Sequence, residues 1–267
     1  MSARPDAASM PERTSAYREV LAVYVVVWLL TFALSQTEGV PIVGEHRGEL
    51  VGLLFLAVAM AMGARMGLER SGLTLGGLML PDPETARAGA TRSRDPLGLL
   101  DLLRGIRAAL PSALRETGVA LLVGLVVFPP FVVGFYFYTR PVPPFSWDNV
   151  EGTPPQAWDL AQLLLAQLLV VALPEEAFFG GYVQTRLADA AHATDPRLRT
   201  PSVLVGQAVL FALVHLASVL HVVRLAVFFP ALLFGLIRAK RGGIGAALVF
   251  HALCNMLSEV LTRGWLS

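Results

Sequence analysis

The sequence predicts an all-α, polytopic membrane protein with about seven transmembrane helices. Of its 267 residues, 55% are hydrophobic and only 15% are charged, and the mean hydropathy is +0.61. This composition is too apolar for an ordinary soluble domain. The apolar residues also form long runs, and seven of these runs are long enough, or nearly so, to cross about 30 Å of hydrocarbon.

In chain order, the predicted spans are about 18–36, 49–68, 117–138, 158–186, 202–220, 222–239 and 243–262. The first run follows a short polar tail, 1–17, without a convincing cleavage site, so we interpret it as a retained span. The long polar connection 69–116 is predicted to be a cytoplasmic loop that ends in an amphipathic, interfacial helix. Residues 1–267 are therefore expected to form a single integral membrane domain.

The distribution of Lys and Arg predicts the orientation of the chain. With a cytoplasmic N-terminus, all but four of the 21 Lys and Arg residues belong to cytoplasmic segments. The four left outside are Arg47, Arg140, Arg224 and Arg263. The positive-inside rule thus predicts a multi-pass protein of the inner membrane with a cytoplasmic N-terminus. The lipid bilayer is therefore one expected partner. The net charge of +1 argues against nucleic acid as a partner, and the single cysteine, Cys254, excludes an internal disulfide and a cysteine-based zinc site.

Few ionisable side chains remain inside the predicted spans: Glu175, Glu176, His215 and His251, with Asn255 beside the last. Such a group costs at least about 2.5–3.5 kcal/mol at membrane depth, so it tends to persist where it has a partner or a function. His251 and Asn255 are four residues apart and share one helix face. Counted from the cytoplasmic markers of three helices, Glu175, His215 and His251 lie about 15–20 Å deep. The sequence therefore predicts one polar site, reachable from the cytoplasmic side.

The adjacent carboxylates are expected to play different parts. Successive helical residues are separated by about 100°, so one of Glu175 and Glu176 should serve the site and the other should serve something behind it. Pro174 should loosen the helix here. Structural explanations remain open for the single residues: each His can make an interhelical hydrogen bond, and a Glu can belong to an ion pair. The pair Gly180-Gly181 favours a close approach of helices.

Three short motifs lie in order on separate predicted helices: E-E-A-F-F-G at 175–180, F-A-L-V-H at 211–215 and H-A-L-C-N at 251–255. With these motifs the sequence resembles the CAAX protease and bacteriocin-processing family of intramembrane proteases, also called the CPBP or ABI family. The resemblance covers roughly 170–260. It implies an intramembrane endopeptidase, with 158–262 as its catalytic core.

One position differs from the family's pattern, which is E-E-x-x-x-R in the first motif. This chain has Gly180 in place of the arginine. An arginine four residues after Glu176 would neutralise that carboxylate on the same helix face. Arg186 lies further along the helix and faces a different side, so the sequence offers no obvious substitute.

The resemblance also implies roles for a catalytic set of Glu175, Glu176, His215, His251 and Asn255. Glu175 would be the general base that activates a water molecule, and His215 would help to hold that water. His251 and Asn255 would stabilise the oxyanion. No cofactor is implied, and the substrate would be a membrane-associated protein or peptide. Relatives act on prenylated proteins, on bacteriocins and other peptides, or, in the myxosortase-like group, on C-terminal sorting anchors.

Three alternatives stay open at this point. A zinc-dependent protease could use Glu175, His215 and His251 as ligands, although no H-E-x-x-H motif is present and each His would need its own hydrogen-bond partner. The chain could also be a non-catalytic scaffold or chaperone derived from the family, and the absence of the arginine would be consistent with this alternative. A proton-coupled transporter is disfavoured because the sequence has no visible repeats and only one compact polar level.

Overall fold

The chain folds into seven long helices, and the computed structural model describes residues 10–73, 99–140, 144–147, 150, 157–191 and 200–266. The helices are α1 (Met10–Ser35), α2 (Arg47–Met66), α3 (Leu99–Thr139), α4 (157–190), α5 (Pro201–Ser218), α6 (Phe228–Arg241) and α7 (Gly245–Leu266). A short 3₁₀ helix, Val222–Val227, precedes α6. Seven helical segments are long and apolar enough to cross a membrane, and the sixth of them, Val222–Arg241, combines the 3₁₀ helix with α6. The predicted all-α, polytopic fold is therefore confirmed.

Two predicted boundaries differ from the structure. Helix α1 begins at Met10, so part of the expected polar tail is helical. The expected interfacial helix is not a separate element, because α3 runs from Leu99 to Thr139 without a break and its apolar span begins at Arg107. The helix continues through Pro111, which lies between the two predicted parts, although a proline inside a helix removes one backbone hydrogen bond. The loop predicted for 74–98 lies outside the described residues.

The contacts between helix ends divide the bundle into two faces. At the near face, where α1, α3, α5 and α7 begin, the helix ends are joined by Arg186–Glu19, Arg70–Asp189 and Arg241–Glu116 ion pairs. At the far face, where these helices end, the contacts include hydrogen bonds from Ser35 to Ala217 and from Ser146 to Gly264. Successive helices along the chain therefore run in opposite directions between the two faces.

Polar side chains of α1 attach this helix to α5. Their hydrogen bonds run from Tyr24 to the Leu210 carbonyl (2.9 Å), from Trp28 to the Leu213 carbonyl (3.0 Å) and from Ser35 to the Ala217 carbonyl (2.9 Å). Packing and interhelical hydrogen bonds hold helices together where lipid removes the hydrophobic drive between them. Helix α1 is thus fixed along most of its length.

Helix α4 is irregular on both sides of Pro174. The segments Gln167–Ala172 and Glu176–Val183 are π-helical, with Leu173–Glu175 between them. Proline cannot donate the backbone hydrogen bond of a regular helix, and π-helical turns occur often at functional sites. The loosening predicted from the sequence at Pro174 takes this form.

The middle of α4 is enclosed by its neighbours. Phe178 and Phe179 are fully buried, and Phe178 stacks on Phe55 of α2 with ring centroids 5.5 Å apart. The glycine pair permits this close packing: a Cβ atom at Gly181 would lie 2.6 Å from a methyl carbon of Leu73. The contact at Gly181 agrees with the close approach that the sequence predicted for the glycine pair.

Candidate active site

The centre of the candidate site is His251, which lies between the two adjacent carboxylates of α4. Its Nδ1 atom lies 3.0 Å from Glu176 Oε1, a hydrogen-bond distance, and its Nε2 atom lies 3.7 Å from Glu175 Oε2. The second distance is too long for a direct hydrogen bond. His251 is 4% exposed and Glu176 is 1% exposed. The histidine is thus held from behind by Glu176 and faces Glu175 with its other nitrogen.

The sequence predicted that only one of the two carboxylates could serve the site, and the structure corrects this in part. Both reach the same imidazole, because its two nitrogens lie on different edges of the ring and the π-helical turns change the angle between successive residues. The two carboxylates do differ in burial, as the predicted division of roles requires. The Glu175 side chain is 15% exposed and lines a cavity, whereas Glu176 is enclosed.

Aromatic rings fix the orientation of His251. Phe234 of α6 stacks on the imidazole with ring centroids 4.4 Å apart, and Phe211 of α5 meets it edge-on at 5.7 Å. Because the ring is clamped on these sides, its nitrogens stay directed toward the carboxylates.

His215 and Asn255, the other two predicted residues, line a cavity together with His251. The Nδ1 atom of His215 lies 2.8 Å from the carbonyl oxygen of Phe211. A carbonyl only accepts, so Nδ1 carries the proton and Nε2 is left as an acceptor in the neutral ring. The amide of Asn255 donates to Gln167 Oε1 at 3.1 Å. Gln167 was not expected from the sequence, because a lone Gln in an apolar run gives no sign of its partner.

Two cavities reach this cluster. The first, about 540 Å³, has Glu38, Arg47 and Glu49 at its mouth and Glu175 among its lining residues. The second, about 310 Å³, is mostly apolar and is lined by His215, His251 and Asn255 together with Phe131, Phe229 and Leu257. Glu175 and the His215–Asn255 pair therefore approach His251 from separate cavities.

Both cavities lie toward the far face, which corrects the predicted approach from the end marked by Arg186, Ser202 and Arg241. The depth estimate counted only from those residues. In the structure His215 lies three residues before Ser218, the last residue of α5, and is therefore much closer to the far end of its helix.

A fifth charged residue near the cluster, Arg238 of α6, was missed by the sequence analysis. It is 2% exposed, and its Nη2 atom donates to Thr185 Oγ1 at 2.7 Å. A Cβ atom at Gly180 would lie 3.1 Å from Glu176 Oε2 and 3.8 Å from the Arg238 Cγ atom. Glu176 Oε2 and Arg238 Nε are buried without a hydrogen-bond partner among the described residues. In the sequence, Arg238 looks like an ordinary topological charge because Lys240 and Arg241 follow it closely, and no pattern indicates that its side chain points inward.

Arg186, the other arginine considered, does not serve Glu176. Its guanidinium makes a bidentate ion pair with Glu19, with N–O distances of 2.7 and 3.1 Å, and also contacts Asp189. The expectation that Arg186 is not a substitute for the missing arginine is consistent with this geometry.

The side chains as placed do not fit the zinc arrangement. Among the residues that the structure describes, no group of three His, Cys, Asp or Glu side chains is arranged to hold a metal ion. The Nδ1 atoms of His251 and His215 face the Glu176 carboxylate and the Phe211 carbonyl oxygen. Metal-binding imidazoles have partners of the same kind, so these two contacts fit either chemistry.

Comparison with known proteins gives a family match for the part of the chain that carries this cluster. The model of the Rce1-like type II CAAX prenyl endopeptidase family matches residues 157–257. No curated protein and no solved structure matches the chain significantly. The matched segment begins with α4, ends within α7 and contains all five predicted site residues. Over residues 157–257, the chain is therefore similar to the Rce1-like type II CAAX prenyl endopeptidase family, which is a family of proteases.

Proposed function

We propose that the chain hydrolyses a peptide bond of a membrane-associated protein or peptide by means of a water molecule activated by Glu175. The observation that supports this most directly is the state of the Glu175 carboxyl group. Its Oε2 atom is buried and makes no hydrogen bond within the described protein, yet it lies 3.7 Å from His251 Nε2 at the wall of a cavity. A buried, unpaired acceptor of this kind is costly unless it has a function.

The geometry suits general base catalysis. One water molecule can contact both Glu175 Oε2 and His251 Nε2, since these atoms are too far apart to bond each other but close enough to share a partner. Glu175 takes a proton from this water as its oxygen attacks the carbonyl carbon. The carboxyl group then gives the proton to the leaving amine nitrogen as the carbon–nitrogen bond breaks. General acid–base catalysis contributes typically about 10²- to 10⁴-fold.

Asn255 and His251 are suited to stabilising the oxyanion. The Asn255 amide has two N–H groups, and one of them is used by Gln167, which fixes the amide plane. The second N–H can donate to the carbonyl oxygen as it becomes negative. His215 lines the same cavity, and its Nε2 atom is available to hold water or substrate. The apolar lining of this cavity suits an apolar part of the substrate, either a side chain or a lipid chain.

The first experiment compares the membrane proteomes of cells that produce the wild-type protein, a Glu175→Gln variant or a Glu69→Gln control. Glu175→Gln keeps the side-chain volume and removes the base, whereas Glu69 is exposed and lies away from the site. We expect at least one membrane-associated protein to change its terminus only in the Glu175→Gln cells. If a purified Glu175→Gln protein keeps more than a few per cent of wild-type cleavage, the assignment of the base is wrong. If the wild-type protein cleaves nothing, the scaffold alternative gains support.

Metal removal separates this mechanism from the zinc alternative. Purified protein that is treated with a strong chelator should keep its activity, because the proposed chemistry needs only Glu175 and the residues around it. The metal content of active protein, measured in parallel, should be well below one ion per chain. Loss of activity on chelation and recovery with zinc alone would decide for a metalloprotease.

A further inference from the structure

The position of the cavities within the bundle has a functional consequence that rests on the proposed function. Glu38, Arg47 and Glu49, at the mouth of the larger cavity, belong to the far ends of α1 and α2. Its other wall includes Ser218 and Val219, where α5 ends at the same face. The entrance to Glu175 is therefore polar and lies at the far face.

The near half of the site is closed in the described part of the chain. Behind His251 lie Glu176 and Arg238, both almost fully buried, and Ile244, which is 0% exposed. Beyond them the helix ends are tied by the Arg186–Glu19 ion pair. Within these residues, neither cavity continues from the site to the near face.

The charges of the chain assign the two faces to the two sides of the membrane. The near face carries the basic residues that end α4 and α6 and those that follow α2. The four outside residues, Arg47, Arg140, Arg224 and Arg263, all lie at or close to the far face. Cytoplasmic segments carry the excess of Lys and Arg, so the near face is the cytoplasmic one.

We infer that this protease takes its substrate from the non-cytoplasmic side of the membrane. The substrate class is then a membrane-anchored protein or peptide whose scissile bond lies in the segment that joins its anchor to an extracytoplasmic region. The polar mouth at Glu38 and Glu49 admits water and the extended chain, while the smaller apolar cavity, open between α3 and α6, takes an apolar group.

Cysteine labelling tests this inference without any assay of activity. In a Cys254→Ala background, single cysteines are placed at Glu49 in the mouth, at Val171 in the cavity wall and at Lys240 on the near face. Right-side-out vesicles are treated with a small, membrane-impermeant methanethiosulfonate. We expect Glu49→Cys and Val171→Cys to be labelled in intact vesicles, and Lys240→Cys to be labelled only after permeabilisation.

The reverse pattern, or labelling of Val171→Cys only after permeabilisation, would overturn the inference. The outcome is independent of the proposed chemistry. Protein that labels as expected but cleaves no substrate would refute the proposed function alone.

A second inference comes from a separate observation, the buried arginine beside Gly180. Arginine stays charged in proteins, and a buried charge needs a partner of opposite sign. Glu176 Oε2 and Arg238 Nε are both buried, and neither has a hydrogen-bond partner among the described residues. Both side chains lie close to Gly180: a Cβ atom there would be 3.1 Å from Glu176 Oε2 and 3.8 Å from Arg238 Cγ.

We propose that Arg238 is a positioning residue, which holds Glu176 in place against His251 from a neighbouring helix. In the family's pattern, an arginine at position 180 of α4 would supply the positive charge near Glu176. In this chain, Arg238 of α6 supplies it instead. Through Glu176, Arg238 fixes the imidazole that faces Glu175.

Moving the charge between the two helices tests this role. Arg238→Ala should lower kcat at least tenfold, with a smaller change in KM, and Arg238→Lys should keep more activity because the charge remains. Gly180→Arg alone should also lose activity, since two guanidinium groups would compete for one gap. The double variant Gly180→Arg with Arg238→Ala should be more active than either single variant.

A purely structural role for Arg238 would not produce this rescue. Activity of the double variant no higher than that of Arg238→Ala would overturn the proposal, as would an Arg238→Ala protein with full kcat. Gly180→Ala separates the effect of losing the glycine from that of adding a charge: its added carbon would lie 3.1 Å from Glu176 Oε2, 3.5 Å from Ile244 and 3.8 Å from Arg238 Cγ.

Discussion

At the scale of single residues, the site is a row of side chains in which basic and acidic groups alternate. Arg238 and Glu176 both lie near Gly180, Glu176 lies at hydrogen-bond distance from one nitrogen of His251, and the other nitrogen faces Glu175 at the cavity. Each member restricts the next, so that Glu175 is presented by a rigid assembly although its own Oε2 atom has no protein partner. Positioning of this kind is what lets a fixed carboxylate act on a bound water.

Gln167 provides a residue-scale prediction, because it fixes the Asn255 amide. Gln167→Ala removes the acceptor and should lower kcat about tenfold, while Asn255→Ala removes the donor itself and should cost about 10²- to 10³-fold, as for other oxyanion donors. Gln167→Glu keeps an acceptor at this position and should fall between Gln167→Ala and the wild type. Steady-state kinetics on the substrate found by proteomics would measure these effects.

Gln162→Ala is the matched control, since Gln162 is exposed on the same helix. Equal kcat values for Gln167→Ala and Gln162→Ala would mean that the hydrogen bond to Asn255 has no part in catalysis.

At the scale of elements, the decisive feature is the contact of α2 with the π-helical part of α4. Gly52 lies against this segment, and a Cβ atom there would be 2.6 Å from the carbonyl oxygen of Val170 and 3.5 Å from Pro174. The helices therefore approach each other backbone to backbone next to Glu175, in the way that small residues allow in membrane proteins.

Gly52→Ala should consequently force the two helices apart and destabilise the protein. Overpacking costs typically about 1–3 kcal/mol, and a backbone carbonyl cannot move aside as a side chain can. Gly48→Ala is the control one turn earlier in α2, where the added carbon would meet nothing within 4 Å. Thermal unfolding in detergent should show a lower Tm for Gly52→Ala only. Equal Tm values would show that this close approach does not limit the stability of the fold.

The elements also show how far the sequence predicts this site. The seven spans, the loosening at Pro174 and the meeting of Glu175 with His251 follow from hydropathy, proline chemistry and motif order. The contact of both Glu175 and Glu176 with the His251 imidazole cannot be predicted in this way. Helical periodicity assumes a regular helix, and α4 is π-helical on both sides of Pro174. The inward course of Arg238 depends on the space at Gly72, where a Cβ atom would lie 3.0 Å from Arg238 Nη2, and this contact joins two segments that are far apart in the sequence.

At the scale of the whole molecule, the two faces differ in how they are held. Among the described residues, ion pairs join the helices at the near face, whereas the two cavities at the site lie toward the far face. This asymmetry separates the half that holds the site together from the half that admits substrate. A protease inside a membrane needs both, since its water and its substrate must reach a site that lipid would otherwise seal.

The ion pair between Arg186 and Glu19 gives the prediction at this scale. It links α4 to α1, and Tyr182, which is fully buried, lies 3.5 Å from the same Glu19 carboxylate. Glu19→Gln should therefore lower the stability of the protein in detergent by up to about 1 kcal/mol, the upper range for such pairs, with little change in kcat because the cavities lie at the other face.

The comparison is with Glu38→Gln, which removes the carboxylate of the exposed Arg47–Glu38 pair at the far face, where the two atoms are 3.2 Å apart. That pair is well solvated and joins neighbouring parts of one hairpin, so its loss should leave the Tm unchanged. It does lie at the cavity mouth, and Glu38→Gln should act, if at all, on KM. A fall in Tm for Glu38→Gln together with a fall in kcat for Glu19→Gln would reverse the assignment of the two faces. Thermal unfolding and kinetics of the two variants, measured side by side, distinguish a face that holds the bundle from a face that receives the substrate.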